Sequence, residues 1–76
     1  MDPKKILIEG IIQDLISYIC EDKDIAIDEA MTIVYNSIVY TKLVDESTGL
    51  YRESSAYVYE LLKDELAEGT LKQKEI

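Results

Sequence analysis

Asp45-Glu46-Ser47-Thr48-Gly49-Leu50-Tyr51-Arg52-Glu53-Ser54-Ser55-Ala56-Tyr57-Val58-Tyr59-Glu60-Leu61-Leu62-Lys63-Asp64-Glu65-Leu66 carries a tight turn, a helix start and an amphipathic helix in direct succession. Asp45, Glu46, Ser47 and Thr48 can bond their own backbone, and Gly49 can take a positive φ without steric cost. Ser54 or Ser55 stands where a hydroxyl caps the free N–H groups of a new helix. Val58, Leu61, Leu62, Glu65 and Leu66 follow the i, i+3, i+4, i+7, i+8 series of one helix face, with Glu65 the single break, at the edge of the stripe. Leu50 and Tyr51 precede the cap, where apolar residues pack back onto the first turn. The corner is either purely structural or one that also presents Tyr51, Tyr57 or Tyr59 to a partner.

Moving toward the N-terminus, the break at Asn36-Ser37 separates two shorter helical patterns. Ile27, Ala30, Met31, Val34, Tyr35 and Ile38 share one face, and Val39 and Tyr40 fall out of phase with it. That slip predicts a kink or a fresh short helix. Further back, Asp2-Pro3 is a favourable helix opening. Ile8, Ile11, Ile12, Leu15, Ile16 and Ile19 then point one way over about half the helix circumference. So wide an arc belongs to a central helix touched on two sides, or to one whose isoleucines, Ile11 and Ile16 among them, meet a second chain. Gly10, on the polar side, would fit a close approach. The reading is all-α: a small bundle of three to four helices at about 3–21, 27–36, 37–43 and 55–68, in one domain spanning 1–68. Gly69 is placed as a C-terminal cap, and 69–76 is expected to be a flexible tail.

Sixteen acidic against eight basic residues give a net charge of −8. That field repels phosphate backbones, so nucleic acid is not an expected partner, whereas a basic protein is compatible. The single cysteine, Cys20, leaves no internal disulfide and fits a reducing cytoplasm. Glu9 and Asp14 interrupt the first apolar run, which argues against a signal peptide and a membrane span. A chain of 76 residues buries a limited fraction of its surface, and a homodimer is a common remedy.

With no histidine, His-based acid–base and nucleophilic catalysis and His-bound zinc are absent from the repertoire. Asp22, Asp24 and Asp28 lack the turn glycine and distal glutamate of an EF-hand loop. No metal, cofactor or catalytic residue is therefore expected. Tyrosine is the one enrichment, six residues with no Phe or Trp, which suits half-buried positions and interfaces equally.

The order Ala30, Tyr35-Asn36-Ser37, Tyr40, Leu43, Asp45, then Thr48-Gly49-Leu50-Tyr51, Ser54, Tyr57-Val58-Tyr59, Leu62 and Glu65 resembles a group of short all-helical Firmicutes proteins of unknown function. Their genes sit near small toxin–antitoxin-like modules. The likeness covers roughly residues 6–66 and implies a bacterial cytoplasmic helical protein with a partner-binding, antitoxin-like role. It carries no catalytic residue. The expectation is thus a non-catalytic protein–protein interaction module, with candidate partner-binding residues Tyr51, Tyr57, Tyr59, Ile11 and Ile16. The alternative is a self-associating homodimer with no other partner.

Overall fold

A computed structural model of the chain describes residues 2–68; the expected cap at Gly69 and the expected tail lie outside the described residues. Four α-helices follow one another: α1 (Pro3–Lys23), α2 (Ile27–Tyr35), α3 (Ile38–Val44) and α4 (Ser55–Glu68). Two 3₁₀ turns, Glu46–Thr48 and Leu50–Arg52, join α3 to α4, and no strand occurs among the described residues. The fold is an all-α bundle.

Each boundary has a local cause. The Asp2 carboxylate accepts the Lys4 N–H at 3.0 Å, and Pro3 occupies the first helical turn, where its missing N–H costs nothing. At the other end α1 runs to Lys23, two residues beyond the expected stop, until Asp24 takes a left-handed φ of 54°. Aspartate tolerates that conformation better than most residues. Gly49 adopts φ 71° between the two 3₁₀ turns, as its lack of a Cβ allows. Ser54 Oγ then accepts the Tyr57 N–H at 3.1 Å and caps α4. Gly10 marks no close approach, because a Cβ there would meet nothing within 4 Å.

α1 is the central helix. It packs against α2, α3, α4 and the second 3₁₀ turn, and all six of its expected inward residues are buried. The breadth of its apolar arc is therefore accounted for within one chain. Leu15, Ile19, Val34, Leu43, Val58 and Leu62 form the most enclosed part of the core. Overall extents of 34 × 33 × 18 Å make the bundle about two helices thick, so each helix keeps one side at the surface.

The break at Asn36-Ser37 becomes a sharp corner held by a buried carboxylate. Glu65 does not lie at the edge of the α4 stripe; only 8% of it is exposed. Its Oε2 accepts the Ile38 N–H at 2.8 Å and its Oε1 the Val39 N–H at 3.0 Å. Ser37 Oγ accepts the Tyr40 N–H at 3.0 Å and donates to the Val34 carbonyl at 2.6 Å. The N–H groups that open α3 are thereby all partnered, two of them by a side chain from a helix 26 and 27 residues further along.

Candidate functional site

The face shared by Ile27, Ala30, Met31, Val34, Tyr35 and Ile38 divides in the folded chain. Ala30 and Val34 are fully buried against the core, but Ile27, Met31, Tyr35 and Ile38 are 64, 39, 45 and 40% exposed. The sequence pattern places all six on one face without saying which of them the fold covers. The division arises because α2 has apolar residues on more of its circumference than α1 can cover.

What remains open is a groove. After the three-residue connection Asp24–Ala26, α2 runs back along α1. Ile12, Ile16 and Cys20, spaced by four, form the floor. Ile27, Met31 and Tyr35, also spaced by four, form an apolar wall. Glu9, Gln13, Ser17 and Glu21 form the opposite, polar wall. Residues four apart lie one above another on a helix, so each row is straight. The groove encloses about 850 Å³. It continues past Tyr35, Glu9 and Ile12 into a second depression of about 360 Å³ near Lys5, Tyr40 and Glu46. From Lys5 to Glu21 the path along α1 is about 24 Å, at 1.5 Å per residue.

Between Glu9 and Glu21 the charge on the polar wall is one-signed, and Lys5 stands one turn before Glu9 in the second depression. The ion pairs among the described residues are Lys4–Glu46 at 3.8 Å and Lys63–Glu60 at 3.3 Å, and neither engages Glu9 or Glu21. Among the described residues, no three acidic or cysteine side chains gather in a set that could hold a metal ion. Cys20, partly buried, contributes its apolar side chain to the floor.

The five residues singled out from sequence do not converge on one surface. Ile11, Ile16, Tyr51 and Tyr59 are 6, 8, 6 and 9% exposed, so four of the five are largely enclosed by their own chain. Ile11 and Tyr51 meet in a shallow depression of about 380 Å³ beside Ile6 and Leu7. Ile16 lies in the α1–α2 groove, and Tyr59 lines a third depression with Asp22 and Lys63. Tyr57 alone stands well out, 49% exposed. Tyr59 is anchored: its ring packs 5.0 Å from that of Tyr18, and its hydroxyl donates to Asp22 Oδ2 at 2.5 Å. Burial, then the Asp22 hydrogen bond and charge, push the Tyr59 phenol well above its usual value.

The groove-lining row at 27, 31 and 35 is the residue set that the sequence reading did not single out as a candidate surface. Its signal was surplus: α2 carries more apolar residues than one buried stripe needs. No family model, curated protein or solved structure shows a significant match to the chain. No described helix is long and apolar enough to cross a membrane.

Proposed function

We propose that this chain is a non-catalytic protein–protein interaction module of the bacterial cytoplasm, antitoxin-like in covering a basic partner protein. The observation that carries the reading is the exposed apolar wall Ile27-Met31-Tyr35 set across a groove from Glu9 and Glu21. Large apolar side chains left uncovered in one contiguous place mark an interaction surface, whereas scattered ones do not. The charge of −8 favours a basic partner and opposes nucleic acid. The lone cysteine is in keeping with a reducing compartment.

Self-association is the second reading. Its original footing, the wide isoleucine arc of α1, is taken up inside the chain, so a homodimer would use the outer side of α2 instead.

The test is co-expression with the products of neighbouring genes, followed by gel filtration with light scattering. A neighbour retained at micromolar concentration supports the module. A chain that runs as a plain monomer and retains no neighbour overturns both readings.

A further inference from the structure

We infer that the α1–α2 groove receives an amphipathic helix of another protein, with an apolar stripe facing Ile27, Met31 and Tyr35 and a lysine- or arginine-bearing edge facing Glu9 and Glu21. The inference rests on the interaction reading above and names the chemistry of the partner.

Shape is the first argument. Three straight rows make a trough with an apolar floor and one apolar wall. A helix laid into such a trough contributes side chains at i, i+3, i+4 and i+7. The polar row from Glu9 to Glu21 runs about 18 Å, and the second depression at Lys5 extends the path to about 24 Å, the length of about 16 helical residues. An open, elongated trough with straight walls suits a secondary-structure element.

Charge is the second argument, and it chooses among occupants. Glu9 and Glu21 stand three helical turns apart on the polar wall, unpaired with any described cation. A second copy of this chain brings a net charge of −8 of its own. Two such surfaces repel on approach, while a basic-edged helix is drawn in and oriented by the two carboxylates. Exposed rim pairs are individually weak, so the apolar wall supplies the holding contacts and the acids supply selection.

Two synthetic 16-residue helical peptides test this. They share a leucine stripe at i, i+3, i+4 and i+7 and differ only in carrying lysine or glutamate along one edge. Binding to the full chain is followed by fluorescence anisotropy, at low and high salt, and by the rate at which N-ethylmaleimide alkylates Cys20 in the groove floor. The lysine-edged peptide is expected to bind about tenfold or more tightly than the glutamate-edged one, a preference that shrinks as salt screens the rim. It should slow alkylation of Cys20. Met31→Lys should weaken it at least about tenfold, with the thermal melt of the chain unchanged. The double variant Glu9→Gln/Glu21→Gln should narrow the gap between the peptides.

Equal binding of the two peptides, or binding that leaves Cys20 alkylation unaltered, overturns the inference. So does a chain that binds neither peptide and elutes as a dimer which Met31→Lys dissociates; the interaction reading then survives in its self-associating form. If neither peptide binds but a neighbouring gene product is retained regardless of Met31→Lys, the partner docks elsewhere. The inference then falls while the module stands. With no peptide bound, no neighbour retained and a monomer in solution, both fall.

Discussion

The contact of α3 with α4 and the contact of α2 with α1 are built from similar material and finished differently. Both α3 and α2 are short, seven and nine residues, and each buries two apolar side chains: Val39 and Leu43 on α3, Ala30 and Val34 on α2. At α3 the junction is sealed. Val58 and Leu62 of α4 are fully buried, Val39 and Leu43 are at most 1% exposed, and the Glu65 carboxylate takes the free N–H groups of the helix end. At α2 the N-cap is Ala26, with no side chain to accept a hydrogen bond, and three of the five residues of its apolar face, Ile27, Met31 and Tyr35, stay exposed. A chain able to close one junction with a buried carboxylate has left the other open along a continuous row. The difference separates the part of the bundle that closes on itself from the part left open to solvent.

The largest test of that division is Leu62→Ala. Leu62 is fully buried at the sealed junction, and truncation should cost about 2–5 kcal/mol in urea unfolding. A midpoint unchanged within error would mean that α4 does not pack in this register.

Glu65→Ala comes next. It removes the acceptor of two N–H groups; that of Ile38 can recover water, since Ile38 is 40% exposed, but that of Val39, 1% exposed, is stranded. One stranded buried donor costs about 1–3 kcal/mol, so a loss of about 2 kcal/mol is expected. Glu65→Gln, which keeps an acceptor oxygen, should lose less. Native-state hydrogen exchange gives an independent check: Val39 should lose protection in Glu65→Ala while amides of mid-α1 keep theirs. Equal, negligible losses for both variants would place the seal of the junction in apolar packing alone.

Tyr59→Phe probes the edge of the sealed half. Its hydroxyl donates to Asp22, which is exposed and can rehydrate, so the cost at neutral pH should be about 1 kcal/mol. Burial and Asp22 favour the neutral phenol in the folded state and raise its pKa above the ordinary 10.0. A raised folded-state value means that the stability it lends is full below pH 10 and drains as pH climbs toward the folded value. The wild-type chain should therefore lose stability above pH 10 more steeply than Tyr59→Phe, in melts followed by circular dichroism. Parallel alkaline losses would remove Tyr59 from the account.

How much of this was readable beforehand follows the same line. Features set by neighbours in sequence were visible: the α1 face, the start at Asp2-Pro3, the turn at Gly49, a cap at Ser54 or Ser55 (the fold uses Ser54) and the interruption at Asn36-Ser37 all come from local spacing and chain stiffness. Glu65 was not. On a helical wheel a carboxylate beside Leu61, Leu62 and Leu66 is only a blemish in the stripe. Its worth depends on two N–H groups brought to it by the fold. The open row of α2 was hidden for a related reason. Ile27, Met31 and Tyr35 have the same period as Ala30 and Val34, and only the angle at which α2 lies on α1 sorts them into outside and inside. All five candidate contact residues were drawn from aromatic and isoleucine content, which reports apolar character and not direction; four of them, Tyr51, Tyr59, Ile11 and Ile16, turned inward.

The smallest expected effect is the most discriminating. Met31→Lys on the open wall changes a side chain that is 39% exposed on a helix that accepts lysine as readily as methionine. Surface substitutions of this kind stay within about 0.5 kcal/mol, so urea unfolding should barely move. The contrast with Leu62→Ala is what matters, since both replace an apolar residue of similar size on a short helical segment. If Met31→Lys instead costs as much as Leu62→Ala, the outer row of α2 is covered in solution, and protein concentration tells by what. A cost independent of concentration means that the chain folds over its own groove. A cost that grows with concentration means that a second copy fills it, because only an associating wild type gains stability by mass action. A negligible cost at every concentration leaves Ile27, Met31 and Tyr35 facing water in the isolated chain, which is the state a docking surface must have before its partner arrives.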